Sequence, residues 1–596
     1  MQNIYKNRMQ DLQNLLKKKN FDAFLLLGAD IHFNEYLSDC FNDRAFISGF
    51  SGSFGNLIIT QKNAVFFTDA RYFLQAEKEL KNTNIELETK LNFLEWLELN
   101  LSANSILALN DKNLSLSLNK ELKKRLKSFK IDLFYEDLML HLRKKNLITQ
   151  EIYEQKGEFI GEKRKVKFQK VCKKMSEIGA DLHFISSLDD IAYLTNLRGK
   201  DIEYNPVFFS FLLISKDKAF LFVDRKKLPL NLAKKLEKDE IFIKDYFCLK
   251  QELTSILKQF KGAKVLIDEL KTSVFIKNLF KKSCKNVKLI KQTNPSSLLK
   301  ALKNKKQISH IKEAMIADGV ALCEFFAFVQ NAFGENKKLS ELSLDKTLSK
   351  FRAKNAYYIS DSFANIIAFN ENSALPHYRA TQKSFSALKG TGLLLVDSGA
   401  QYENGTTDIT RVVPLGKVNT AQKKDYTLVL KALIALSKAV FPVNLNLSVL
   451  DALARAPLWS QKLDFEHGTG HGVGYFLNVH ESPPRIAYKA PFSEQNKAQI
   501  GFVSSVEPAL YKKGQYGIRL ENLVVFESAQ TSEFGEFLRL ETLSLCPFEI
   551  SCLDLKLLNE EEKAWLNAYH DKVFKALNKH LSAKALKWLK EKTQKI

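Results

Sequence analysis

The chain lacks any run of about 18 apolar residues, the length a helix needs to cross a bilayer, so no membrane span is expected. Its first twenty residues, MQNIYKNRMQDLQNLLKKKN, carry charge throughout and have no apolar stretch of secretory-signal length, which points to the cytoplasm. The seven cysteines, at 40, 172, 248, 284, 323, 546 and 552, are scattered and form no CxxC pair. That pattern argues for reduced, buried thiols and against a disulfide framework. Acids are the scarcer charge: 67 Asp and Glu stand against 90 Lys and Arg, a net of +23. The lysines are spread along helical segments and are not gathered into one stripe, so nucleic-acid binding is not expected as a primary role. Weak attraction to polyanions is all that the excess predicts.

At 596 residues with ordinary apolar content of 45%, the chain is too long for a single core and predicts three or four domains. An internal repeat marks the first half. Residues 22–37, DAFLLLGADIHFNEYL, resemble 181–194, DLHFISSLDDIAYL, each reading as an apolar strand followed by a helix. Further on, NLIITQKNAVFFTDARY matches FLLISKDKAFLFVDRKK, two strands joined by a polar turn and ending at Asp69 and Asp224. Between the copies, residues 140–170 form a charged segment that reads as helix and linker with a solvated face. A second boundary falls near 295–303. There an amphipathic helix follows, with Ile308, Ile311, Met315, Leu322, Phe326 and Val329 at helical spacing as a core stripe. The expected domains are 1–145, 146–300 and 301–596, an α/β (α+β) chain. In the last of them the segment Asp425 to Phe441 reads as a helix stopped by Pro442, and two helices are expected from Asn559 onward.

Five acid or imidazole side chains recur in that last third: Asp397, Asp408, His471, Glu507 and Glu521. The first two lie in LLLVDSGAQYENGTTDITRVV, a strand, an Asn404-Gly405 turn and a returning strand. A two-residue turn at Asn404-Gly405 would set Asp408 opposite Gln401 and Asp397 opposite Val412, with the aspartates four positions apart. At about 3.3 Å per residue this is too far for one metal pair, so a wider loop or a bulge is expected. Glu507 and Glu521 are centred on Gly514, and a hairpin folded there sets them opposite each other. His471 comes from HGTGHGVG, where glycines let the backbone pass close to a crowded centre. Four carboxylates and one imidazole form a hard, oxygen-dominated donor set suited to manganese, with cobalt, iron or zinc as alternatives. Two divalent ions would roughly balance the carboxylates and share a bridging hydroxide, the arrangement of two-metal hydrolysis.

The strings DSGAQYENGTTDITR, HGTGHGVG, NVHESP, VEPALY and GIRLEN together resemble the catalytic domain of aminopeptidase P, a metallopeptidase of the pita-bread fold. The resemblance extends through NEYLSDCFNDRAFISGFSGSFG, FFTDARYFLQA and LTNLRGKDIEYNPVFFSF, and so covers nearly the whole chain. It implies the long, three-domain form, two creatinase-like N-terminal domains before the pita-bread domain, and a homodimer. It also implies roles: Asp397 ligates one metal, Asp408 and Glu521 bridge, and His471 and Glu507 complete the other shell. His377 in PHYRA, His467 and His480 fall on positions that handle substrate. Four of the ten histidines lie between 377 and 480. A neutral imidazole can donate to a carbonyl oxygen and relay a proton near pH 7, so His480 is assigned to the scissile carbonyl, with His377 and His467 lining the subsite beyond it. Glu507 is expected to move the proton to the leaving nitrogen. Arg519, two residues before Glu521, shares its face and is placed to pair with a ligand carboxylate. Where the family usually has glycine, this chain has Ala509.

The activity implied is removal of the N-terminal residue from peptides with proline second. The nearest rival is a prolidase confined to Xaa-Pro dipeptides. A methionine aminopeptidase would not need two preceding repeat domains, and a non-catalytic pita-bread module would be expected to have lost ligands.

Overall fold

The repeat in the first half folds as two six-stranded sheets of one topology. In the computed structural model, which describes residues 2–144, 150–284 and 286–596, the first sheet runs Glu86–Glu88, Ala64–Phe67, Asn56–Thr60, Ala23–Leu26, Ile106–Leu109, Asp132–Tyr135. The second runs Ile241–Asp245, Ala219–Val223, Ser210–Ser215, Leu182–Ile185, Lys264–Ile267, Lys288–Lys291. Each opens with antiparallel strands joined by the short polar turn and is extended by parallel strands at both sides. The parallel neighbours arrive through helical crossovers, as parallel pairing requires. Leu107, Leu109 and Leu122 of one copy and Phe184, Phe211 and Val265 of the other share one apolar core.

The copies differ in one respect from what their sequences predict. A helix, Leu188–Thr195, follows the first strand of the second copy, but residues 30–37 of the first copy form none, and the helical turn Asp39–Phe41 and the helix Asp43–Ser48 come only after them. There the Asp30 carboxylate accepts from the N–H of His32 (2.9 Å), the N–H of Asn34 (3.1 Å) and Asn34 Nδ2 (2.8 Å), and Phe33 sits at φ 58°. These local side-chain bonds replace the helical ones.

The boundary expected at 145 and part of the charged linker lie outside the described residues. Helix Arg164–Ile178 does follow, but its face is not simply solvated. Lys167 is buried, donating to the carbonyl of Tyr193 at 2.7 Å and to Asn196 Oδ1 at 2.5 Å over the Tyr193 ring.

Residues up to Gln155 together with Glu162–Ser296 form one compact unit, and Lys156–Gly161 with Ser297–Ile596 form another. The second unit begins with the long helix Lys305–Gly334, capped by Asn304 and Gln307 in a reciprocal box. By length and composition alone it could cross a membrane. Its Ile311, Met315, Leu322, Phe326 and Val329 instead enter the largest core of the chain. Asn419 with Gln422 and Asn559 with Glu562 start Thr420–Ser437 and Glu560–Leu577 in the same way, and Ala583–Lys592 closes the chain. The helix expected over 425–441 therefore begins earlier and ends at Ser437. Phe441 is buried in the short strand Val440–Pro442, opposite Leu538.

The strands of this unit form two three-stranded sheets, a two-stranded ribbon, and a six-stranded sheet in the order Val440–Pro442, Phe537–Thr542, Asn522–Ser528, Val503–Val506, Gly470–Gly472, Glu481–Ile486. The seven cysteines form no disulfide among the described residues; five are buried, Cys172 is half-buried and Cys248 is exposed, against the expectation that all would be buried.

His183, fully buried in the second sheet, donates through Nδ1 to the Leu266 carbonyl at 3.1 Å, while Nε2 has no partner among the described residues. Burial pushes its pKa from 6.5 down to about 4. The neutral ring stabilises the fold above pH 6.5, and this contribution is lost as the pH falls toward 4. His183→Leu is expected to flatten the dependence of the urea midpoint on pH across that window; an unchanged slope counts against this account.

Candidate metal centre

Two long hairpins build the site, and each crosses from one sheet to another at its acidic residues. In the first, Gly392–Ser398 pairs with Ile409–Leu415 so that Asp397 faces Thr410, and Ala400–Tyr402 pairs with Gly405–Thr406. One register holds throughout. The turn is Glu403–Asn404, one residue earlier than Asn404-Gly405, and this replaces the wider loop or bulge that the sequence led us to expect. The shift brings the aspartates to within two positions of each other, a diagonal neighbour distance. Gly399 makes the crossing possible, since a Cβ there would lie 2.0 Å from the Thr407 carbonyl oxygen.

The second hairpin folds about Gly514, which takes φ +73°. Ala509–Lys512 pairs with Tyr516–Arg519, and Val503–Val506 with Asn522–Ser528, in one continuous register. Glu507 and Glu521 fall opposite each other at the break between the two ladders. Ala509 lies across from Arg519, its methyl buried with Leu428, Ala432, Leu458 and Phe465, so glycine is not required there.

His471 sits on the short strand Gly470–Gly472 between two glycines pressed against neighbouring chain. A Cβ at Gly470 would lie 2.2 Å from the Ser505 carbonyl oxygen, and one at Gly472 2.5 Å from that of Glu481. The ring is aimed by its second nitrogen: Nδ1–H donates to the Gly472 carbonyl at 2.9 Å. That bond leaves Nε2 facing Asp408 Oδ2 at 3.5 Å and Glu507 Oε1 at 3.6 Å. Donor atoms of Asp408, His471 and Glu521 all lie within 4.8 Å of one another.

Burial and mutual repulsion set the electrostatics. Asp397, Asp408 and Glu521 are buried and Glu507 is half-buried. Burial and the charge of Asp408, partly offset by Arg519, push the Asp397 carboxyl up to about 6. Burial, Asp408 and Asp397 raise Glu521 far more. Burial works against the Glu507 charge as well, but His467, His471, Arg519 and His480 together hold its pKa below the usual range. The His471 imidazole is driven up to about 9 because Asp408 and Glu507 outweigh its burial.

Arg519 Nη2 donates to Asp397 Oδ2 at 2.5 Å and Nη1 to the Tyr511 hydroxyl at 2.5 Å. Tyr511 in turn lies 2.9 Å from His467 Nε2, while His467 Nδ1–H donates to the Gly468 carbonyl at 2.8 Å. Burial lowers His467 to about 4, so it is a neutral ring. His480 packs edge-on against His471 with ring centroids 4.5 Å apart. His377 is half-buried in the loop after the turn Asn370–Ala374, whose Ser373 hydroxyl accepts from the Gly517 N–H at 2.7 Å beside Arg519.

Three contributors were not singled out from the sequence. Thr410 donates through Oγ1 to Glu521 Oε2 at 2.8 Å, and Ser505 donates to Glu507 Oε1 at 3.2 Å and accepts from the His471 N–H at 3.0 Å. Tyr511 is the third. Strand alternation gave a usable signal for all three, since Thr410 alternates with Asp408, and Ser505 and Tyr511 with Glu507.

The donor set passes a chemical test for divalent metal. Four carboxylates converge with one guanidinium and one ligand imidazole, Asp397 and Glu521 are pushed toward protonation, and among the described residues Asp397 Oδ1 is buried without a hydrogen-bond partner. Fold and site together are those of a metal-dependent hydrolase.

The chain belongs to metallopeptidase family M24. The model of that family matches residues 309–528, Creatinase/Prolidase N-terminal domain models match 8–136 and 143–307, and the C-terminal region of peptidase M24 matches 536–596. The chain is 34% identical to Xaa-Pro aminopeptidase 1 of Dictyostelium discoideum, over 99% of this chain and 96% of that one. A crystal structure of X-prolyl aminopeptidase from Caenorhabditis elegans, described as a cytosolic enzyme with a di-nuclear active site, superposes with a TM-score of 0.94 at 30% identity, covering 99% of this chain and all of that one. Xaa-Pro dipeptidase from Bacillus anthracis shares the fold over 65% of this chain and 99% of its own, with a TM-score of 0.52 at 22% identity.

Metal must displace the proton that Asp397 holds up to pH 6. Because His471, at about 9, must also give up a proton to bind metal, titration of the metal-free protein is expected to show divalent-ion affinity rising from pH 5 to about 9, with proton release. Calorimetry showing pH-independent affinity across that range would be inconsistent with this donor set.

Proposed function

We propose that the chain is a metal-dependent aminopeptidase that releases the N-terminal residue from peptides with proline in the second position. The observation that carries the reading is the convergence of Asp397, Asp408, His471, Glu507 and Glu521, with Asp397 Oδ1 unpartnered among the described residues and His471 Nε2 turned inward. These five residues would hold two divalent ions. When bound, such ions lower the pKa of water and polarise a peptide carbonyl. Manganese fits the oxygen-rich donors best, with cobalt, iron or zinc as alternatives.

The chain's own residues have separable tasks. Arg519 fixes Asp397 and compensates its charge, and Tyr511 carries that restraint on to His467. Glu507, held ionised by its cationic neighbours, is the group to take a proton from water and return it to the leaving nitrogen. His480, packed against His471, donates to the scissile carbonyl oxygen as negative charge develops there. His377 and His467 line the leaving side, where a proline nitrogen offers no N–H and recognition falls on shape.

The 34% identity to Xaa-Pro aminopeptidase 1 of Dictyostelium and the 30% identity to the C. elegans X-prolyl aminopeptidase, each over 99% of this chain, support an aminopeptidase over a prolidase. A cytoplasmic setting accords with seven cysteines that form no disulfide among the described residues. Purified protein with added manganese is expected to cleave an Xaa-Pro-Xaa tripeptide promptly, and Asp408→Asn to lose at least about 100-fold at every metal concentration. Cleavage of Xaa-Pro dipeptides alone would instead make it a prolidase. Activity retained by Asp408→Asn would remove the bridging role.

A homodimer is also proposed. Val449, Leu453, Trp459, Tyr488 and Phe492 are large, apolar and exposed in the second unit, with Trp459 edge-on to Tyr488 at 6.2 Å. Exposed apolar groups of this kind mark association surfaces. Light scattering should give twice the chain mass, and Trp459→Glu should give the monomer. A monomeric parent protein would end this part of the reading.

A further inference from the structure

Arg411 follows Thr410 on the first hairpin and turns away from the carboxylates into the core, where it is 2% exposed. Its donors are all engaged. Nε donates to the carbonyls of Cys546 at 3.1 Å and Pro547 at 3.3 Å, and Nη1 to those of Thr410 at 2.9 Å and Glu521 at 2.6 Å. Nη2 donates to Asn522 Oδ1 at 2.7 Å, the Cys546 carbonyl at 2.6 Å and the Tyr569 hydroxyl at 2.8 Å. The guanidinium carbon lies 4.1 Å over the ring of Phe548. One cation thus bonds at once to the backbone of a candidate metal ligand and to three residues of the C-terminal segment, Cys546, Pro547 and Tyr569, while stacking on a fourth.

Glu521 is restrained from three directions. Its carboxylate accepts from Thr410 Oγ1 at 2.8 Å, its N–H donates to the Thr410 carbonyl at 3.2 Å, and its carbonyl accepts from Arg411. The third restraint depends on residues beyond the catalytic sheets. Tyr569, on the helix Glu560–Leu577, also accepts from the Cys546 N–H at 3.3 Å, which ties the loop that receives Arg411 to that helix. Close packing permits this approach, because Gly319 leaves room for the Leu545 carbonyl oxygen, which a Cβ there would meet at 2.3 Å.

We infer that the C-terminal region, residues 536–596, is a working part of the metal centre, fixing the Glu521 end of the donor set through Arg411 and Tyr569. The inference rests on the metal-centre reading above. Arg411 and Tyr569 are positioning residues in this account; neither touches metal or substrate. Metal ligands hold their geometry through outer partners of this kind, whose loss typically weakens binding by about 10- to 100-fold. Lysine cannot replace the planar fork, having one point of charge and no paired donors.

The test measures divalent-ion affinity by chelator competition, with bound metal per chain, on folded full-length variants. Tyr569→Phe and Arg411→Lys are expected to bind metal about tenfold more weakly, with kcat depressed at limiting metal and restored by excess while KM changes little. Trp588→Leu, which disturbs a different contact of the same region, its stacking on Phe326, is expected to bind metal as the parent does. A folded Tyr569→Phe with parental affinity overturns the inference, and this variant decides the matter where Arg411→Lys fails to fold. Equal weakening by Trp588→Leu overturns it too, since the effect would then be general loosening. Glu521→Gln in the same assay separates the two levels: if it leaves affinity unchanged, the metal-centre reading itself fails.

Discussion

Four carboxylates forced into one buried space repel one another, and the rest of the second unit is arranged around that repulsion. Burial would drive each toward its neutral form, and Asp397 and Glu521 are indeed displaced upward. Arg519 and His471 supply partial compensation, and Glu507, surrounded by cationic and imidazole groups, is held below the usual carboxylate range. What remains uncompensated is the affinity for divalent ions. The destabilisation carried by the metal-free carboxylates and the affinity for metal are one quantity seen from two sides.

Rigid register is what keeps the carboxylates in place. Each hairpin holds one register across two ladders, so Asp397 and Asp408, and likewise Glu507 and Glu521, are fixed by main-chain pairing and not by loop conformation. Sites built on strands are held more closely than sites on loops. The glycines at 399, 470 and 472 serve the same end, since at each a side chain would strike a neighbouring carbonyl. Arg411 extends the restraint to the C-terminal segment, and Tyr511 extends it to His467.

Much of this was legible in the chain itself because it depends on local pattern. The repeated domains were visible as repeated strings, and the Gly514 hairpin followed from the symmetric placement of Glu507 and Glu521. Arg519 could be assigned to its neighbours from strand alternation. The first hairpin was harder: Asn404-Gly405 is a strong turn signal, yet the turn formed one residue earlier, where Gly399 and the Thr407 carbonyl oxygen pack together. The helix expected after Ala23–Leu26 failed for a similar reason, because Asp30 found nearby amides first.

Local pattern gave the types and order of the candidate ligands and the strands that carry them, because alternation and turn chemistry act over a few residues. Only the tertiary structure decided that Thr410 would hold Glu521, that the Gly472 carbonyl would orient His471, and that Arg411 would join residues 110 to 158 positions away in the chain. Those contacts depend on how separate elements pack. No local periodicity encodes which carbonyl or hydroxyl will meet a donor once the chain is folded.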